Sequence, residues 1–283
     1  MKSLVKRTLS GAVLVAIMVG AILCSPLTLL ALVVAVTVGS LYEFYRLSIP
    51  DSKKIYPPIV LGAVAVVAAY LVVWQIIPPQ GLFLLLPLFL LLLIGRIFCQ
   101  NGGTLDAGGV QTLGAQALGL IYIALPLSLL PALGVQIGAD GAPAYNAGVV
   151  LFYVILIWIN DVGAYLVGMT LGRHGKHPLC KRLSPKKSWE GFFGGLIFTA
   201  VAAVWLGARM TGAENTPVWG WIVGGVVLTL SAVAGDLVES MFKREAGVKD
   251  SGNLIPGHGG LLDRFDAMYL SLPFVYLLTQ LMR

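Results

Sequence analysis

Nine apolar runs set the rhythm of this chain, at residues 8–24, 27–45, 57–77, 81–98, 112–134, 147–171, 190–209, 218–239 and 264–282. Each approaches the roughly 20 residues a helix needs to cross a hydrocarbon core of about 30 Å. Polar residues are sparse inside the runs and gather between them. The pattern predicts an all-α integral membrane protein, a polytopic bundle of about nine transmembrane helices. The alternating strands of about 10 residues that a membrane barrel requires are absent. Pro87, Pro126, Pro131 and Pro273 interrupt some of the runs, as a membrane helix tolerates when neighbours satisfy the freed carbonyls. The stretch 99–111 between the fourth and fifth runs fits the membrane interface.

Composition agrees with this reading. The 283 residues are 58% hydrophobic and 11% charged, with a mean hydropathy of +0.88; a soluble domain carries about 25% charged residues. A net charge of +6 is a balance also found in nucleic-acid binders, but its distribution excludes that partner. With a cytoplasmic N-terminus, 17 of the 19 Lys and Arg residues fall on the inner side of a nine-span threading, and only Arg209 and Arg283 fall outside. The positive charge is a topology signal. Cys24, Cys99 and Cys180 are scattered and odd in number, so they read as packing residues or free thiols. The basic, apolar N-terminus has no persuasive cleavage site and reads as a retained first helix. The chain divides by character into 1–146, expected to be scaffold helices, and 147–283, a catalytic region with two cytoplasmic loops, 172–189 and 240–263.

The densest polar stretch is Ser240 to Asp266, SMFKREAGVKDSGNLIPGHGGLLDRFD. Upstream, Asp161 stands in the middle of a span, where an ionisable group marks a function or a buried partner. Ser184-Pro185-Lys186-Lys187-Ser188 resembles a helix start, and two lysines there suit an anion such as phosphate. Trp189 suits the headgroup level. Asp236, Glu239 and Ser240 share one helix face. Asp263 and Asp266 sit at the start of the last span, where the positive helix end favours acids. The turn Gly257-His258-Gly259-Gly260 just before them can wrap a phosphate. Carboxylates at adjacent helix ends can hold a hard cation such as Mg²⁺ together with substrate phosphates, and Asp236 with Asp263 is the expected pair. His258 reads either as an acid–base group or as a loop hydrogen-bonder; His174 and His177 read as ordinary loop residues. These residues imply a cytoplasm-facing site for a divalent cation and phosphate, suited to a nucleotide or a phospholipid headgroup.

The stretch 240–266 resembles the signature of the phosphatidate cytidylyltransferase (CDP-diacylglycerol synthase) family at Ser240, Lys243, Arg244, Lys249, Asp250, His258, Gly259, Gly260, Asp263, Arg264 and Asp266. Asp161-Val-Gly-Ala-Tyr165 and Ser184–Ser188 are similar to further family motifs. The resemblance covers about 160–270; the earlier helices match only in being apolar. It implies that CTP and phosphatidic acid give CDP-diacylglycerol and pyrophosphate with Mg²⁺, in the bacterial inner membrane, with the site facing the cytoplasm. It would place Asp236 and Asp263 on the metal, with Asp266 and Asp250 as second choices. Lys186, Lys187, Lys243, Arg244, Lys249 and Arg264 would hold phosphates, and Asp161 would line the polar cavity. Membrane lipids are the expected surroundings, and a homodimer is expected by analogy. The alternatives are another CTP-dependent lipid kinase or cytidylyltransferase, and an ion-coupled transporter. The transporter predicts polar residues on both faces, whereas here they gather on one.

Overall fold

A computed structural model describes residues 2–49, 51, 54–98, 109–172, 177–255, 257 and 259–282. It divides the chain into two compact units. The first comprises residues 1–145 with 250–264, and the second 146–249 with 265–283.

The first unit is built from α1 (Lys2–Cys24), α2 (Pro26–Ser48), α3 (Tyr56–Val73), α4 (Leu85–Phe98), α5 (Gly109–Gly119) and α6 (Leu125–Leu133). Ser25 separates the first two helices in a capping box. Its Oγ accepts from Thr28 N at 3.1 Å, the Thr28 hydroxyl accepts from Ser25 N at 3.0 Å, and Pro26 opens α2. Both orphan donors at this helix start are thereby met. One π turn, Leu120–Ala124, joins α5 to α6. Just before it, Gln116 Nε2 donates to Lys54 O at 2.7 Å, while Tyr45 Oη donates to Gln116 O at 2.8 Å. Leu29, Leu41, Phe44, Tyr45, Val66, Ile123 and Leu127 form the core around it. A hairpin of β1 (Val135–Ile137) and β2 (Pro143–Tyr145) follows α6, paired Val135 to Tyr145 and Ile137 to Pro143.

The second unit contains α7 (Ala147–Thr170), α8 (Trp189–Thr211), α9 (Val218–Glu245) and the part of α10 (Leu262–Leu281) that follows Arg264. Between α7 and α8 lies a second hairpin, β3 (Pro178–Cys180) with β4 (Ser184–Ser188). Helices α7 and α8 approach closely because α8 presents glycines. A Cβ built on Gly191 would come 2.8 Å from Ala164 O, and one on Gly195 would come 2.7 Å from Asn160 Oδ1. Small residues let membrane helices meet backbone to backbone, where dispersion is strongest. Tyr153 on α7 and Ser271 on α10 share a buried hydrogen bond of 2.6 Å between hydroxyls.

Among the described residues, six helices are long and apolar enough to cross a membrane: α2, α3, the joined Gly109–Leu133, α7, α8 and α9. Thr8–Cys24 and Pro79–Leu92 are shorter apolar helices. These two match the first and fourth expected runs, and α10 matches the ninth. The fold is that of an all-α membrane protein. The two hairpins occupy stretches expected to be plain loops.

Candidate functional site

Four charged side chains meet within the second unit: Asp161 from α7, Lys187 from β4, Asp236 from α9 and Asp266 from α10. The Lys187 ammonium forms an ion pair with Asp236 Oδ2. Asp236 Oδ1 accepts from Ser240 Oγ at 3.3 Å, one helical turn further on. Asp161 and Asp266 interact electrostatically with both Lys187 and Asp236, and with each other. Three carboxylates therefore face one ammonium. Asp266 reaches this group because Gly235 of α9 has no side chain: a Cβ there would come 2.6 Å from Asp266 O.

Three of the four, Asp161, Lys187 and Asp236, line a cavity of about 450 Å³ together with Asn160, Tyr165 and Lys186 among others. Its polar wall is Asp161, Lys187 and Asp236; Tyr165, Met169, Leu179 and Phe192 give it an apolar side. At the adjoining start of α8, Trp189 packs against Phe192 and Phe193, with ring centroids 5.6 and 6.0 Å away. A cavity with convergent charges and an apolar wall suits a ligand with an ionic head and an apolar body.

The lysines reach the cavity by a route the sequence did not suggest. Ser184–Ser188 does not open a helix; it is strand β4, paired with β3. The helix starts five residues after Ser184, at Trp189, with Ser188 as its N-cap accepting from Gly191 N at 3.1 Å. Extended backbone turns neighbouring side chains to opposite faces, and Lys187 takes the face toward Asp236 while Lys186 is exposed at the cavity rim. His177 also has a definite structural role. Its Nδ1 lies 2.7 Å from Glu190 Oε1 and its carbonyl accepts from Trp189 N at 3.0 Å, which fastens the hairpin to α8.

Further along α9, Lys243 pairs with the fully buried Glu239. Arg244 donates to Val248 O at 3.1 Å. Lys249 is exposed.

The first unit holds the rest of the signature stretch. Asp263 Oδ2 accepts three hydrogen bonds, from Ser251 N at 3.0 Å, Ser251 Oγ at 2.9 Å and Gly260 N at 2.9 Å. Gly259, at φ +86°, is the turn that brings Gly260 N there; a side chain would be strained at this φ. Asp250 is exposed beside it, 3.6 Å from where a Gly259 Cβ would stand. Arg264 is exposed as well. A residue that the sequence reasoning missed completes the group. Glu43 of α2 is 3% exposed; its Oε2 accepts from Leu262 N at 2.8 Å and lies 3.2 Å from Ser251 Oγ.

Asp236 and Asp263, expected to share a metal, thus lie in different units, each engaged by partners in its own. His258, His174, Cys99 and residues 100–108 lie outside the described residues. Among the described residues, no group of three or more His, Cys, Asp or Glu is placed to hold a metal by itself. The donor set of the second unit nevertheless fits a hard cation. Asp161, Asp236 and Asp266 leave excess negative charge after Lys187, and Mg²⁺ is usually held by one or two carboxylates completed by phosphate oxygens.

The long apolar helices and the charged cavity among them define the class, a helical membrane protein with a polar site. The chain belongs to the cytidylyltransferase family, whose model matches residues 5–282. It is therefore a nucleotidyltransferase. Similar proteins named phosphatidate cytidylyltransferase occur in several bacteria. That of Mycobacterium bovis is 31% identical over 273 residues, covering 93% of this chain and 85% of the relative. That of Haemophilus influenzae is 44% identical over 136 residues, 47% of this chain and 46% of the relative. That of Staphylococcus epidermidis is 42% identical over 129 residues, 46% of this chain and 48% of the relative.

Proposed function

We propose that this chain transfers the cytidylyl group of CTP to phosphatidic acid, giving CDP-diacylglycerol and pyrophosphate, in a Mg²⁺-dependent reaction of phospholipid synthesis. The observation that carries this reading is Asp161, Lys187 and Asp236 on a cavity with both a charged and an apolar wall, with Asp266 interacting electrostatically with all three. The relatives' names supply the substrates. The distribution of Lys and Arg supports nine spans, a cytoplasmic N-terminus and a site facing the cytoplasm of a bacterial inner membrane. A homodimer belongs to this reading by analogy.

An oxygen of the phosphatidate phosphate attacks the α-phosphorus of CTP. The bond from that phosphorus to the β-bridging oxygen breaks, and pyrophosphate leaves with the electron pair. The attacking phosphate is already ionised near neutral pH, so no strong base is needed. What must be overcome is repulsion between two anions and charge growing on the leaving group. Positioned cations do this. Lys187 is held in place by Asp236 and meets a phosphate from the cavity wall, with Lys186 at the rim. Tyr165 and Phe192 line the apolar side, where the glycerolipid body lies. Asp236 is the first candidate to hold Mg²⁺, with Asp161 and Asp266 beside it. Asp263 remains a candidate on its chemistry, since ligating carboxylates are themselves oriented by hydrogen bonds. When bound, the ion neutralises polyphosphate charge. Lys243, already paired with Glu239, acts from behind by fixing the end of α9. Arg244 and Lys249 are exposed cations of the second unit that can meet the CTP phosphates; Asp250, Gly259 and Arg264 of the first unit keep the phosphate-binding role that the family resemblance implies, as does His258.

The test is purified protein with CTP labelled in the γ-phosphate and phosphatidic acid, with and without Mg²⁺. Labelled pyrophosphate together with CDP-diacylglycerol is the expected result. Release of CDP with a phosphorylated lipid would make the chain a kinase, and ion flux without nucleotide would make it a transporter.

A further inference from the structure

Glu43 is the sole acidic residue among the first 50, and it stands in the next-to-last turn of α2, away from every motif of the signature stretch. Its carboxylate is 3% exposed. An acid at that depth is costly to bury unless its oxygens are met; Oε1 has no hydrogen-bond partner among the described residues, and the groups that meet Oε2 come from a segment more than 200 residues later. Oε2 accepts the Leu262 amide at 2.8 Å, at the first residue of α10, and contacts Ser251 Oγ at 3.2 Å, near the start of the segment. The backbone between them closes onto the same carboxylate. A Cβ on Gly252 would collide with Oε1, and one on Gly260 would collide with Oε2 and with Ser251 Oγ. Ser251 is shared: its amide and hydroxyl also serve Asp263 Oδ2, at 3.0 and 2.9 Å. One carboxylate thus ties Ser251 and Leu262, the two ends of this segment, and touches, through a single serine, the signature acid Asp263.

We infer that Glu43 is a positioning residue for catalysis, the anchor that fixes the backbone at Ser251, Gly252, Gly260 and Leu262 and, through Ser251, the orientation of the Asp263 carboxylate. It touches no substrate; it acts through the loop. The catalytic consequence rests on the proposed cytidylyl transfer, whereas the structural one does not.

The geometry dictates a graded series. Glu43→Gln keeps the shape and one accepting oxygen but loses the charge that strengthens both hydrogen bonds. Glu43→Ala removes them. Ser251→Ala removes the bridge from the other side. In purified full-length protein, hydrogen exchange of the Ser251, Gly260 and Leu262 amides should accelerate at least tenfold in Glu43→Ala and less in Glu43→Gln, with the helices of the second unit unchanged. The KM for CTP should rise at least fivefold in Glu43→Gln and further in Glu43→Ala. A loss of folded protein alone would lower kcat and leave KM as it was. The double variant Glu43→Gln with Ser251→Ala should be no worse than the poorer single one, because both act through one chain of contacts. Unchanged exchange in the loop, an unchanged KM, or effects that multiply in the double variant would each overturn the inference. If the wild-type protein releases no pyrophosphate from CTP and phosphatidic acid, the functional reading fails instead, and the exchange measurement still decides the role of Glu43.

Discussion

Replacing Lys187 by Met is the sharpest perturbation of the second unit's site. It keeps most of the apolar stem and deletes one positive charge from among three carboxylates. Two unit charges about 4 Å apart interact by about 4 kcal/mol at an effective dielectric near 20. Lys187 and Asp236 are 30% and 33% exposed, so solvent screens the pair and reduces its worth to stability to about 1 kcal/mol. The catalytic loss is larger, because a cation aimed at developing charge acts when the cavity is filled and dry. Removing one such donor costs about 10²–10³ in rate, or about 3–4 kcal/mol. Lys187→Met should therefore lower kcat/KM by about two to three orders of magnitude while moving the melting temperature only a few degrees. Lys186→Met, at the exposed rim, should lose no more than about tenfold, the worth of one screened charge. The assay is pyrophosphate release in mixed micelles of phosphatidic acid, beside a thermal melt of each variant. Equal losses for Lys186→Met and Lys187→Met, or a Lys187→Met variant within tenfold of wild type, would refute the reasoning.

Four other outcomes follow from the structure. Asp236→Asn should abolish detectable pyrophosphate release and leave insertion normal, since it removes the partner that holds Lys187; wild-type activity in that variant would remove Asp236 from the site. Asp263→Asn in a normally inserted protein should lose most of its activity; full CTP-dependent turnover would end its assignment as a metal candidate and leave it a loop acid only. Ser271→Ala leaves the buried Tyr153 hydroxyl unmatched and should cost about 1–3 kcal/mol, whereas Tyr153→Phe paired with Ser271→Ala should recover much of it, read by thermal melts with kcat unchanged. Gly195→Val should fail to assemble α7 against α8, seen as loss of monodisperse protein in detergent, because a Cβ there would already come 2.9 Å from the Asn160 backbone oxygen.

The sequence made the membrane class and most helices legible because each apolar run is itself the spanning signal. It also exposed Asp161, Asp236 and Asp266, since an acid in an apolar helix stands out at once. The same reasoning applied to Glu43 would have marked it; the helix SLYEFYRLS was read as scaffold because its surroundings are apolar and its partners are distant in the chain. The strand β4 was hidden for a different reason. Ser184-Pro185 satisfies the local rules for a helix start, and only pairing with Pro178–Cys180 selects the extended form. The partners of Asp263 were not readable either: an acid at the start of a helix looks the same whether it meets a metal or the backbone of its own loop.

The bond from Glu43 to Leu262 joins residues 219 positions apart, and that separation has a consequence for biosynthesis. Helix α2 enters the bilayer early, carrying an acid whose donors have not yet been translated. A ribosome adding about 5–20 residues each second leaves that acid unmatched for about 10–40 s. A truncated product ending before Ser251 would lack both donors permanently, so the first unit can close on this carboxylate only after residues 250–264 have been made.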